Sequence, residues 1–281
     1  MAIRLVTDSA SDFTKEEAKA LGITIVPLTV TFGEISYQDC FELNHEQFFE
    51  KLIETDELPT TSQIPPYEYG KVFEEISDNG DDILCITLSS KLSGCFQSAN
   101  IAAEDCETPI KIVDSLNAAV GQRLLVEYAL RLIKSGMSLD DIYTDLEEQK
   151  KHIRLIALLD TLEYLKKGGR ISSTVALAGT LLNIKPVIAV IDGAVELLGK
   201  ARGSKNGNNM LKELIKKEGP IDFSKPCSAV YSGLSTTVLD KYMADSIDLY
   251  KGHEDELGKC SIGCAIGTHI GPGAIGVAFF V

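Results

Sequence analysis

The stretch Ile83-Leu84-Cys85-Ile86-Thr87-Leu88-Ser89-Ser90-Lys91-Leu92-Ser93-Gly94-Cys95-Phe96-Gln97-Ser98-Ala99 decides how the chain is read. Its first six residues are mostly apolar and partly β-branched, the composition of a buried strand. Ser89 to Leu92 form a turn, and a helix is expected from about Cys95. Ser93 is placed as the N-cap, with its hydroxyl facing the free N–H groups of the first turn. Gly94 lets the backbone approach a ligand closely. A helix start carries roughly half a positive charge and several unpaired donors, so it receives a carboxylate or a phosphate. Taken alone, the stretch reads first as an ordinary strand–turn–helix link.

The neighbouring segments repeat that unit. Ile3 to Val6 is a short apolar strand ending in a polar turn, Thr7 to Asp12. Thr14 with Glu17 makes a capping box for a helix to about Leu21, which Gly22 stops. Ile110 to Val113 is another strand, ending in Asp114-Ser115 and followed by a helix from about Asn117 to Lys134. Strand, polar turn and helix in succession describe a parallel sheet, with ligands at the carboxyl ends of its strands. Asp8-Ser9, Ser89-Ser90 and Asp114-Ser115 would then converge on one edge. Between these units, Ile23 to Phe32 is a strand region and Asn44 caps a helix over about His45 to Thr55. Thr60 to Ile64 precede two prolines, so they are expected to be extended, with a helix starting near Pro66. That segment presents three hydroxyls and an amide.

The pattern changes near Arg154. Leu155 to Leu159 is a strand, and a short helix then ends at Gly168-Gly169. Val175 to Leu182 reads as an apolar helix. Ile184 to Ile191 pairs with Ala194 to Leu198 across Asp192-Gly193, a tight-hairpin signal. Helices are expected at about Gly207–Glu218 and Thr236–Tyr250. Strands are expected at Cys227–Tyr231, Ser261–Ile266 and Val277–Val281, with a glycine-rich loop at Gly267–Gly276.

Composition excludes several classes. The chain has 281 residues, 44% hydrophobic and 24% charged, an ordinary globular balance with length enough for two domains. The net charge of -14 argues against nucleic acid and against anionic membrane surfaces as partners. The N-terminus lacks the apolar core and cleavage site of a signal peptide, and no apolar run approaches a membrane span, so no integral membrane segment is expected. Seven scattered cysteines and four histidines do not make a zinc site. They read as buried reduced thiols, which fits a cytoplasmic location.

The residues leave more than one chemistry open. Gly267 to Gly276 lacks the Gly-Lys-Ser/Thr end of a phosphate loop. His269 there reads as a hydrogen-bonding or acid/base group. Ser93, His269 and Asp8 or Asp114 allow a hydrolase triad on paper, without a G-x-S-x-G elbow. Arg170 and Arg202, each flanked by glycine, suit a phosphate or carboxylate.

Taken together, the sequence resembles the DegV family, whose characterised members bind fatty acids and in some bacteria act as the lipid-carrying subunit of fatty acid kinase. The resemblance covers the whole chain. It rests on Asp8-Ser9 with Asp12, Thr61-Ser62-Gln63, Leu92-Ser93-Gly94 with Gln97-Ser98-Ala99, and Asp114-Ser115. It rests further on Leu162 to Ile171, Lys185-Pro186, Arg202-Gly203, and Ile266 to His269 with Gly271 to Ala274. Two departures stand out: Cys95-Phe96 replaces the usual Thr-Tyr, and Gln63-Ile64-Pro65 replaces Gln-Pro-Ser. The resemblance implies an α/β fold with two domains. Residues 1–153 would form a three-layer domain on a parallel sheet that carries the carboxylate site. Residues 154–281 would form a two-layer domain on a mixed sheet that closes over the acyl chain. It implies no cofactor and no metal, only a bound long-chain fatty acid held at its carboxylate by Thr61, Ser62, Ser93, Gly94 and His269. Arg170, Arg202 and His269 would support a partner kinase or phosphoryl transfer. The alternatives are an enzyme in its own right, a serine hydrolase or a small-molecule kinase, and a lipid carrier without a kinase partner.

Overall fold

The computed structural model describes residues 2–55, 57–171 and 183–281. Four strands, β1 (Ile3–Asp8), β2 (Ile23–Val26), β6 (Asp82–Thr87) and β7 (Ile110–Asp114), form a parallel sheet in the order β2-β1-β6-β7. Helices α3 (Pro66–Asp78) and α4 (Cys95–Ala103) pack on each other and against β6. Helices α5 (Ala119–Lys134) and α6 (Leu139–Gln149) do the same. Strand β6 is therefore apolar along nearly its whole length, because both of its faces are covered. The capping box of Thr14 and Glu17 starts α1 (Lys15–Leu21), and Gly22 ends it in the left-handed region, as the sequence predicts.

Six strands make the second, mixed sheet: β8 (Ile153–Leu158), β9 (Ile184–Ile191), β10 (Ala194–Arg202), β11 (Cys227–Tyr231), β12 (Leu257–Ser261) and β13 (Ile275–Phe280). Their order is β10-β9-β8-β13-β11-β12, with only β11–β12 parallel. The hairpin at Asp192-Gly193 forms as expected, with both residues at positive φ, 48° and 85°. Helix α8 (Ser204–Glu218) packs on β8, β9 and β10, and α9 (Thr237–Asp245) on β11. Helix α5 is shared between the sheets: it touches β1 and β6 on one side and β8, β11 and β13 on the other. One apolar core accordingly joins Leu5 and Leu84 to Ala278 and Phe280.

A small antiparallel sheet is the element the sequence reading did not separate. Strands β3 (Thr29–Phe32), β4 (Ile35–Gln38) and β5 (Thr60–Ser62) pair in the order β4-β3-β5, beside α2 (His45–Glu54). The single strand region expected over Ile23–Phe32 is thus two strands in two sheets, parted at Pro27, which has no N–H to give a ladder. The C-terminal region corrects two further expectations. The strand lies at β12, ending at Ser261, and Cys264–Ile270 is a helix, here α10. Apolar residues with interspersed glycines suit a buried helix as well as a strand, and long-range capping decides between them. The expected glycine-rich loop is therefore helical up to Ile270, and only a tight turn separates it from β13. The helix expected at Val175–Leu182 lies outside the described residues.

Leu125, on the shared helix α5, is fully buried in this core. Leu125→Ala should cost about 3 kcal/mol in urea unfolding, the usual scale for a core leucine truncation. Ile53→Ala, at an exposed position, should change stability by under about 0.5 kcal/mol.

Candidate functional site

The three polar strand ends do meet at one edge of the parallel sheet, but they bind backbone. Buried Asp8 accepts from Leu88 N at 2.7 Å, Ala10 N at 3.2 Å and Gln122 Nε2 at 3.0 Å. Burial, only partly offset by these bonds, pushes its carboxyl up to about 6. Ser9 Oγ accepts from Leu28 N, and Ser89 Oγ donates to the carbonyl of Gly193 in the β9–β10 hairpin at 2.7 Å. Asp114 Oδ1 accepts from Ser90 N and Leu116 N. These side chains shape the edge of the sheet by satisfying turns that would otherwise bury unpaired donors.

Above that edge lies a cavity between the parallel and mixed sheets. Among the described residues that line it, Thr61, Gln63, Ser93, Arg170 and His269 are the polar ones; the others are apolar, among them Leu88, Ala119, Leu155, Ile188, Val230 and Ile266. The five polar side chains form one group, as their contacts show. Thr61 Oγ1 and His269 Nε2 are 2.8 Å apart. The His269 ring rests on Gly168, where an added Cβ would come within 2.2 Å of Nδ1, so only glycine fits. Arg170 donates to the carbonyl of Gly168 at 2.6 Å and to that of Leu92, next to Ser93, at 3.1 Å. Gln63 fills the space over Gly94, where a Cβ would lie 2.0 Å from its Oε1.

Charge in this group is set by burial. His269 is driven down to about 4, first by desolvation and then by the Arg170 guanidinium. The ring is neutral at pH 7, and its Nδ1 is buried without a hydrogen-bond partner. A guanidinium, two hydroxyls, an amide and an imidazole beside an apolar cavity are chemically suited to a small anionic head on an apolar body.

Several sequence-predicted roles change. Ser93 is not the N-cap of α4: Gly94 is, and it has no side chain to cap with. Ser93 Oγ lies 3.4 Å from Cys95 N and 3.2 Å from its sulfur. Ser62 does not line the cavity, because neighbouring residues of a strand face opposite ways and Thr61 takes the inner side. The same period of two put Gln63 within reach of a sequence reading, which did not single it out. Arg202 is exposed at the end of β10 and does not line the cavity. The triad of Ser93, His269 and Asp8 or Asp114 is not assembled, since both carboxylates bind backbone and His269 Nε2 pairs with Thr61. His269 stands on a helix and not on an exposed loop. Among the described residues, no group of three or more His, Cys, Asp or Glu is placed to hold a metal ion, and no helix is long and apolar enough to cross a membrane.

Fold and site together describe an α/β protein that encloses an apolar cavity with a polar head. Residues 2–281 match the family described as uncharacterised proteins of DegV type, and the chain belongs to the DegV family. It is 36% identical to a DegV domain-containing protein of Caldanaerobacter subterraneus subsp. tengcongensis, across 99% of this chain and 98% of that one. Among solved structures it is similar to a fatty-acid-binding DegV family protein from Thermus thermophilus, with TM-score 0.88 and 32% identity, each chain covered in full. It is also similar to DegV of Bacillus subtilis, a fatty acid binding protein, with TM-score 0.85 and 32% identity, again over both whole chains. A stearic acid-binding protein from Eubacterium ventriosum matches with TM-score 0.88 and 28% identity, over 100% of this chain and 98% of that one.

The His269 ring should make stability depend on pH. Between its ordinary value near 6.5 and about 4, the unfolded chain binds a proton that the folded chain does not. Its contribution is complete above 6.5 and is lost as pH falls toward 4. Asp8, raised to about 6, slopes the opposite way between 3.8 and 6, so the comparison must be made against a variant. His269→Gln should lose less stability than wild type over that window in urea titrations at stepped pH.

Proposed function

We propose that this protein binds one long-chain fatty acid in the cavity, with the carboxylate at the Thr61–Ser93–His269 group. One observation carries the reading: among the described lining residues, the polar side chains Thr61, Gln63, Ser93, Arg170 and His269 are tied together through their contacts and the others are apolar. The acyl chain would lie between a domain of residues 1–153 and one of residues 154–281. Burying about 14 methylenes is worth on the order of 11 kcal/mol at roughly 0.8 kcal/mol each. Association and ordering costs of several kcal/mol reduce that sum and still leave room for tight binding. Thr61, Ser93 and backbone N–H groups in the first turn of α4 after Gly94 would donate to the carboxylate. His269 would add a proton once the anion is in place, since a nearby negative charge raises an imidazole.

The reading extends to a partner. The bound carboxylate would be presented to an ATP-dependent fatty acid kinase in the cytoplasm, which would form the acyl phosphate. Arg170 sits beside the carboxylate group and would meet the transferred phosphoryl group. Arg202, exposed and away from the cavity, would belong to the docking face. The chain would then act as the lipid-carrying subunit and not as an enzyme alone.

Denaturing extraction of freshly purified protein, followed by lipid mass spectrometry, tests the first part. About one fatty acid per chain is expected if the acyl chain occupies this cavity. A clean extract, with no uptake when palmitate is supplied to the native protein, would sink the reading. For the second part, Arg170→Ala and Arg202→Ala should impair acyl phosphate formation with a purified kinase partner more than palmitate binding. Equal loss of both would overturn that division of roles.

A further inference from the structure

Helix α10 carries His269 into the cavity, and it is short: seven residues, Cys264–Ile270. Its orientation cannot come from its own hydrogen bonds, because a helix of this length is marginal in water. Gly263 N, at its N-cap, donates to Asp12 Oδ1 and the Cys264 thiol to the carbonyl of Leu43, and two further attachments come from around the small sheet. At the last turn, His269 Nε2 meets Thr61 Oγ1 of β5. At the first turn, Asp39 accepts from Cys264 N with Oδ1 at 3.1 Å and from Ala265 N with Oδ2 at 3.2 Å. Asp39 is 1% exposed, and both of its oxygens accept backbone N–H groups of α10.

Both attachments come from one small body. Asp39 follows β4 directly, and its own N–H donates to the carbonyl of Leu28, at the entry to β3. Thr61 lies on β5, paired with Val30 of β3. The sheet β4-β3-β5 therefore grips α10 at its start through Asp39 and meets its end through Thr61. A rigid helix rising about 1.5 Å per residue passes a shift at Cys264 on to His269. Gly267, midway, packs on Phe48 and Phe49 so closely that a Cβ would lie 2.6 Å from the Phe48 ring, which prevents the helix from sliding freely.

We propose that Asp39 is the positioning residue for His269: by clamping the first turn of α10 to the small sheet, it sets the distance between the imidazole and Thr61. It does not touch the ligand. The proposal rests on the fatty-acid reading for its binding arm only.

The experiment compares wild-type protein with Asp39→Asn and Asp39→Ala, full chain in each case. The readouts are palmitate binding and the long-range nitrogen–proton NMR correlations of the four histidine rings, with His269 identified by its loss in His269→Gln. In wild type the His269 ring should show one tautomer, held by Thr61. Both Asp39 variants should move its signals toward tautomer averaging, and palmitate affinity should fall on the order of tenfold, the scale of a sub-ångström to 1 Å misplacement of a binding group. A folded variant whose His269 signals match wild type overturns the proposal, even if affinity drops, because Asp39 would then act on overall stability alone. If Asp39→Ala does not fold, Asp39→Asn, of the same shape and retaining one acceptor, decides the question. If wild type takes up no palmitate, the fatty-acid reading fails, and the His269 signals still decide the role of Asp39.

Discussion

A carboxylate taken out of water must be met by donors, and this fold meets three of them with backbone N–H groups from distant segments. Asp8 at the end of β1 ties down Leu88 after β6. Asp12 accepts from Gly263, 251 residues further along the chain. Asp39 takes the first two N–H groups of α10. Burial raises the carboxyls of Asp8 and Asp12, the latter well above the usual range, so these bonds are made against a desolvation cost. Arg123 eases that cost: its guanidinium donates to the carbonyl of Asp12, pairs with Glu17 and lies 4.2 Å from the Phe13 ring centre. The C-terminal segment 261–270 is thereby held against the N-terminal half at fixed register.

The cavity follows from that arrangement. Strand ends of the parallel sheet, the inner face of the mixed sheet and α10 enclose a space that none of them would form alone. The turns after the parallel strands and the start of α5 supply short side chains such as Ala10, Ala118 and Ala119, while β8 and the residue after it supply Leu155, Ala157 and Leu159, and β9 supplies Ile188, Ala189 and Val190. The polar end arises where β5, the start of α4, the loop after α7 (Glu163–Lys167) and the end of α10 come together. An anion bound there would meet two hydroxyls, an amide, an imidazole and one guanidinium, with its apolar tail against apolar side chains.

Much of the N-terminal half was legible from local signals. The capping boxes at Thr14–Glu17 and Asn44–Gln47, the proline at the start of α3 and the Asp192-Gly193 turn are short-range chemistry, and each element begins or turns where its residues require. Thr61, Ser93, Arg170 and His269 were legible as a set, and the structure brings them together. Ser62, implied by the family resemblance, does not line the cavity, while Gln63, the amide of the same segment, does so with Thr61, as the period of two in an extended chain requires. The C-terminal helix α10 was misread as strand and loop, since its start is defined by Asp39, 225 residues away.

What the sequence determined by itself is local: apolar runs that must be buried, caps that start helices, glycines and prolines that end them, and a charge balance unsuited to nucleic acid. These depend on residues within a few positions of one another, so the order of residues suffices. What only the tertiary structure decided is which polar groups spend their hydrogen bonds on backbone and which remain for a ligand. Asp8 and Asp114 looked like site residues and are consumed by turns, while Asp39 showed no signal and holds the helix that bears His269. A side chain's hydrogen-bonding capacity is fixed by its type, but its partners are fixed by packing across the whole chain.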